Sequence, residues 1–298
     1  MSHEYWVLRA ELDELRVMAG RLEAVARAGV PPGDLAAAEF KVFSQWNEDG
    51  IIQHLLRHVA ITDPAFIEFG VEDYREANTR FLLVNNGWRG LVIDSGDAHR
   101  HFVYEGSPLG WRYPIDARQA FVNRENVNDV FRDAGFTGDI GLLSIDVDGI
   151  DYWIWDAIDV ASPRIVVIEF NSVFGCDHPV TVPYDPAFDC TGAHSSRLYF
   201  GASLPALVAL GKRKGYRFVG CESHGANAFF VRDDVGRKLP RRTARDGYVS
   251  SRFRSSRDEA GGLTFVGPHT EQLRLIRDLV VEVVPDGARV TIAELFGV

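Results

Sequence analysis

The chain has 298 residues, 46% of them hydrophobic and 25% charged, and a net charge of −10. No run reaches the roughly 18 apolar residues of a membrane span. Three cysteines (Cys176, Cys190, Cys221) are too few for a disulfide framework, and the acidity argues against a general grip on nucleic-acid phosphates. The first residues lack a basic stretch followed by an apolar one, so a cytoplasmic protein is expected, with neither membrane nor nucleic acid as partner.

Leu8, Leu12, Leu15, Met18, Leu22 and Val25 recur every three or four positions and predict a helix over 4–28. Pro31-Pro32-Gly33-Asp34 stops it. About three heptads is short for a long coiled coil, so the helix is expected to pack on the domain or to pair with a second copy in a homodimer. Residues 1–35 then form an amino-terminal extension.

From 36 to 235 short apolar runs alternate with helical stretches. Residues 65–69, 91–93, 140–145 and 165–170 read as strands, the last two apolar on both faces, as a parallel sheet covered by helices requires. Segments 125–134, 151–158 and 203–214 read as helices. The strands at 217–221 and 228–231 are too close for a crossover helix and must be antiparallel neighbours. The expected fold is α/β: a doubly wound, mostly parallel seven-stranded sheet ending in an antiparallel hairpin, the layout of class I methyltransferases. A helix over 269–279 and a strand over 280–284 follow, without a place in the sheet. They close a carboxyl-terminal appendage, 236–298, that begins with a basic loop. Arg237, Lys238, Arg241, Arg242, Arg245, Arg252, Arg254 and Arg257 face only Asp246 there. That loop is either a solvated surface segment or a lid for an anionic substrate.

In open α/β sheets ligands bind beyond the carboxyl ends of the strands, near the switch point. After the first strand comes Gly70-Val71-Glu72-Asp73-Tyr74, where Gly70 permits close backbone approach but the later glycines of a dinucleotide loop are replaced. Glu72 and Asp73 would repel a pyrophosphate and suit a cationic sulfonium, which favours S-adenosylmethionine over NAD. Asp94, with Ser95 beside it, ends the second strand and can accept bonds from ribose hydroxyls. Asp116, after a third strand, is assigned to the adenine. Asp146 stands at the mouth of the site, against cofactor and acceptor alike. Strand alternation puts Glu169 and Asn171 on one side, so Asp146, Glu169 and Asn171 form an all-oxygen set suited to Mg²⁺. The competing reading has Asp148 and Asp151 capping the next helix, with Glu169 and Asn171 bonding substrate directly. Both stay open.

In order and spacing, Ser44 to Gly50, Glu68 to Leu82, Gly87 to Asp94 and Leu143 to Gly149 resemble the FkbM-like branch of S-adenosylmethionine-dependent methyltransferases. Tyr74 departs from that family's usual glycine. The resemblance implies methyl transfer to a hydroxyl of a sugar or natural product, with Glu68, Gly70, Asn78, Thr79 and Asp94 binding cofactor. An oxygen acceptor must lose a proton, and His178 is the first choice as base, with His224 in the hairpin turn next. The aromatic stretch 182–188, with Tyr199 and Phe200, is either a pocket wall or ordinary packing. Two other readings are a non-catalytic protein that keeps the fold for binding or assembly and an NAD-dependent oxidoreductase.

Overall fold

The computed structural model describes residues 3–251 and 256–298, and side chains from Leu8 onward in the first stretch. Among these described residues ten strands follow in chain order: β1 (Ala65–Phe69), β2 (Arg89–Asp94), β3 (Ile115–Gln119), β4 (Gly138–Ile145), β5 (Ala161–Glu169), β6 (Val180–Thr181), β7 (Tyr216–Cys221), β8 (Asn227–Arg232), β9 (Val280–Val283) and β10 (Ala288–Thr291). Seven build the main sheet in the order β3-β2-β1-β4-β5-β8-β7. β1 to β5 run parallel, while β8 is antiparallel to both β5 and β7. This is the doubly wound, mostly parallel seven-stranded sheet with an antiparallel hairpin at its end that the sequence predicts, with the order reversing between β1 and β4.

Alternation along the strands divides the core into two layers. Ile67, Phe69, Leu91, Ile93, Leu143, Ile145, Val166, Ile168 and Phe230 face the helices Val127–Ala134, Asp151–Ala157 and Leu204–Arg213. Phe66, Val92, Leu142, Ile165, Val167 and Phe229 face the helices Glu48–Leu55, Arg80–Asn86 and Ala98–Tyr104. Burial on both sides explains why the central strands read as unbroken apolar runs. The helix Leu204–Arg213 starts where Ser203 accepts a bond from the Ala206 amide, with proline in its first turn.

The tail of the chain builds a second sheet, β10-β9-β6, in which β9 pairs with both neighbours antiparallel. Residues 180–181 and 280–291 thereby share one small core around Phe174, Val180, Val182, Leu273, Ile276, Val281 and Ile292. Only β9 was expected. β6 has two residues and carries no periodicity, but the β9–β10 hairpin did leave a signal in Pro285-Asp286-Gly287, where Gly287 takes φ 75°.

The amino-terminal helix is His3–Ala26. Asp13 pairs with Arg80 at 2.5 Å, and Arg27 and Arg57 also hold it to the domain through the Phe40 ring and the Ala24 carbonyl. Its apolar residues Leu8 to Val25 face the other way, into solvent. No helix among the described residues is long and apolar enough to cross a membrane.

Among the described residues Trp155 is the largest fully buried side chain, with Phe230 4.9 Å and Tyr216 5.8 Å away between ring centroids. Trp155→Ala should cost about 3–5 kcal/mol. That loss is read as a lower urea midpoint with an unchanged slope.

Candidate active site

The site grows from the loop after β1. Gly70, Glu72 and Tyr74 take φ values of 70°, 47° and 60°, so every second residue is left-handed. The backbone thus has the turn geometry of a glycine loop although two of the three positions carry side chains. At Gly70 a Cβ would lie 1.3 Å from the Asp146 carbonyl oxygen, because the end of β1 presses against the end of β4. Tyr74 is wholly buried, and its hydroxyl lies 3.2 Å from Thr79 Oγ1.

Glu68 is buried and bonded within the fold. Its carboxylate accepts the Asn78 amide at 2.8 Å, the Thr79 amide at 3.1 Å and the Thr79 hydroxyl. Asn78 in turn donates to Ser144 Oγ at 3.1 Å. Glu68, Asn78 and Thr79 therefore form a buried brace that fixes the start of the helix Arg80–Asn86 against β1 and β4. Loss of water raises the Glu68 carboxyl to about 7 in spite of its three donors.

Asp94 stands where expected, at the end of β2. One carboxylate oxygen accepts the Glu72 amide at 2.8 Å and the other the Gly96 amide at 2.7 Å, which ties the first loop to the second. Carboxylate oxygens each carry two acceptor sites, so capacity for hydroxyl donors remains on this half-buried group. Ser95 is exposed beside it, and its carbonyl accepts a bond from Gln119 Nε2 at 3.0 Å. Asp116 is a correction. It is opposite Leu91, three positions below Asp94, and pairs with Arg118 at 2.8 Å. The strand begins near Asp116 instead of ending there, so the group at the carboxyl edge is Gln119.

Beyond β4 and β5 three carboxylates converge. One oxygen each of Asp146, Asp148 and Glu169 lies within 4.8 Å of the others. Asp146 and Glu169 share a hydrogen bond, and loss of water is the main force raising both carboxyls, with their mutual and neighbouring negative charge adding to it. Glu169 Oε2 is buried without a hydrogen-bond partner. Asn171 does not join them. β5 ends at Glu169, and Asn171 caps the following turn: its oxygen accepts the Val173 amide, and its nitrogen donates to the Leu198 and Phe200 carbonyls. Strand alternation stops where the strand stops. Asp148, read earlier only as a helix cap, takes the third place with φ 52°. Neither Asp148 nor Asp151 caps the helix Asp151–Ala157: Asp151 is its first residue and accepts the Val147 and Gly149 amides of the preceding loop.

The β7–β8 turn lies beside this cluster, since Phe170 donates to the Ala226 carbonyl and Asn227 is opposite Glu169. His224 in that turn stacks on Trp46, with centroids 4.5 Å apart and planes 17° off parallel. Its Nδ1 is 3.5 Å from the buried carboxylate of Glu222, which the Ala226 and Asn227 amides also hold. The Ser44 to Gly50 segment supplies the brace below. Asp49 gathers the Val42, Phe43 and Ser44 amides, and Glu48 bonds the Trp46 amide and Asn227. Trp46 and Glu222 were not singled out in the sequence, although Trp46 sits inside the motif that carried the resemblance.

His178 packs elsewhere. Its ring meets Phe296 edge-on at 5.3 Å, in the lobe of the second sheet. The aromatic stretch is packing: Tyr184 bonds Glu125, Phe188 sits over Gly149, and Tyr199 bonds the Val280 carbonyl. Several cations of the basic segment are engaged within the fold. Arg242 donates to the Val219 and Gly33 carbonyls, Arg241 pairs with Asp233, and Arg245 with Asp177. Arg252 and Arg254 lie outside the described residues.

Two substitutions in the first loop should act in opposite directions. Gly70→Ala must push β1 from β4 and should cost more than about 3 kcal/mol. Glu72→Gly relieves a left-handed side chain and should add up to about 1 kcal/mol, since its bond to Asp94 is made by the backbone. Urea unfolding measures both. Glu68 generates a third expectation. A carboxyl whose folded value of about 7 exceeds the ordinary 4.5 takes up a proton on folding, so its contribution is full below pH 4.5 and is lost as pH rises through 7. The loss is roughly 3 kcal/mol. Stability measured from pH 4.5 to 7.5 should fall less steeply in Glu68→Gln than in the wild type.

No family model matches the chain, and no curated protein matches it. Among solved structures it is similar to the amino-terminal domain of EvdMO1 with SAH bound, at 10% identity over 63% of this chain and 80% of that one, TM-score 0.39. It is similar to an O-methyltransferase from Bacillus cereus in complex with SAH, at 13% identity over 72% of this chain and 89% of that one, TM-score 0.39. An O-methyltransferase family protein from Burkholderia thailandensis shares 12% identity over 80% of this chain and 72% of that one, TM-score 0.37.

Proposed function

We propose that this chain is an S-adenosylmethionine-dependent methyltransferase acting on a hydroxyl of a small molecule, a sugar or natural product, with Mg²⁺ held among Asp146, Asp148 and Glu169. The observation that carries the reading is the acidic mouth at the switch point. Glu72, Asp94, Asp146, Asp148 and Glu169 surround the carboxyl ends of β1, β2, β4 and β5, where an open α/β sheet binds its ligand. Such a mouth suits a sulfonium and an ammonium and repels a pyrophosphate, which argues against NAD.

The residues present fit both groups. Asp94 has acceptor capacity for two ribose hydroxyls, and its anchoring by the Glu72 and Gly96 amides fixes its direction. Glu169 Oε2, buried and unpartnered beside two further carboxylates, is the kind of oxygen a hard divalent cation satisfies. S-adenosylmethionine supplies an electrophilic methyl group when bound. The acceptor hydroxyl must then give up its proton, and His224 is better placed for that than His178. With Nδ1 beside Glu222, Nε2 remains to take the proton, and the stack on Trp46 fixes the ring plane.

Calorimetric titration with S-adenosylhomocysteine should give saturable binding, with no heat from NAD⁺. Asp94→Ala should weaken it by about tenfold or more. Mg²⁺ should bind the wild type and not Glu169→Gln. Once an acceptor is found, His224→Gln should lower turnover by about a hundredfold or more with cofactor binding unchanged. Silence toward the homocysteine compound from folded protein would overturn the methyltransferase reading and leave the non-catalytic binding reading.

A further inference from the structure

The amino-terminal helix presents a face that the rest of the chain does not cover. Leu8, Leu12, Leu15, Met18, Leu22 and Val25 are each between 48% and 73% exposed, and they form one stripe roughly 26 Å long on a helix of 1.5 Å rise per residue. The helix cannot turn to bury them. Its opposite face is fixed by the Asp13–Arg80 pair and by Gly20, where a Cβ would lie 2.5 Å from Val42 and 2.9 Å from Phe81.

We propose that this stripe is an interface with a second copy of the chain, formed by two antiparallel helices about a two-fold axis near Met18. At 100° per residue, Glu14 and Arg21 flank one edge of the stripe and Arg16 and Glu23 the other. Antiparallel pairing sets Leu15 against Leu22 of the second copy and Leu12 against its Val25. It also sets Glu14 against Arg21 of the second copy on one edge and Arg16 against its Glu23 on the other, and the symmetry repeats each pair. Parallel pairing aligns Glu11 with Glu11 inside the seam and makes neither set of ion pairs. Present contacts do not oppose this. Arg21 bonds Asn85 at the surface, while Arg16 pairs with Asp13 and Glu23 with Arg27, each about one turn away along the chain. A lipid surface fits less well, because the helix carries five acids against three arginines.

Sedimentation equilibrium of the full chain should give about twice its mass of 33.2 kDa at micromolar concentration. Leu15→Glu/Leu22→Glu alters side chains that the monomer exposes, so it should keep the wild-type circular dichroism and weaken the dimer at least about 100-fold. Glu14→Arg alone should weaken it about tenfold, and Glu14→Arg/Arg21→Glu should restore it. A monomeric wild type at tens of micromolar, or a dimer indifferent to the leucine substitutions, would overturn the interface. Failure of the charge swap to restore association would overturn the antiparallel arrangement. Wild-type protein that stays monomeric and pellets with neutral phosphatidylcholine vesicles would assign the face to a lipid surface instead.

Discussion

The contact on which the site depends is the approach of Gly70 to the carbonyl of Asp146. Two parallel strands at a switch point must splay to leave a crevice, yet here β1 and β4 are drawn together at their ends until no Cβ fits between them. The chain leaving β1 must therefore turn sharply, and it does so through left-handed residues at Gly70, Glu72 and Tyr74. Left-handed backbone costs a residue with a side chain about 1–2 kcal/mol, so the two non-glycine positions need support from outside the loop. Tyr74 has it in the buried contact with Thr79, and Glu72 has it in its amide bond to Asp94.

That same turn places carboxylates of three strands around one opening. Their like charge is tolerated because each is restrained differently. Asp94 accepts two backbone amides, Asp146 and Glu169 share a hydrogen bond, and Asp148 stands at the solvent edge. Burial, with the mutual negative charge added to it, raises the carboxyls of Asp146 and Glu169. A second brace, from Asp49 and Glu48 to the β7–β8 turn, fixes the histidine face of the opening. The crevice is thus bounded by two internal polar networks that hold backbone.

The sheet was legible because its strands are covered on both sides. Continuous apolar runs at 140–145 and 165–170 have no other economical burial, and the short gap before 228 forces the antiparallel hairpin. Asp94 was legible for a related reason: it follows an unambiguous strand at the end where ligands bind. Other assignments failed at strand boundaries. Extending β5 by two residues put Asn171 on the wrong side of its cap, and ending β3 three residues early put Asp116 at an edge that belongs to Gln119. Counting glycines also misled, because the left-handed turn persists where Glu72 and Tyr74 replaced them.

By itself the sequence determined the periodicities: which segments are strands, which are helices, and that the amino-terminal helix has one apolar face. Periodicity is a local property, set by 2.0 and 3.6 residues per repeat, and it survives without knowledge of partners. Only the tertiary structure decided direction and company. It turned the stripe from Leu8 to Val25 outward, spent Glu68 on the Asn78 and Thr79 amides, replaced Asn171 by Asp148, and set Trp46 against His224 across 178 residues of chain. Those outcomes depend on which distant groups compete for each lone pair and each patch of apolar surface, and that competition exists only once the chain has folded.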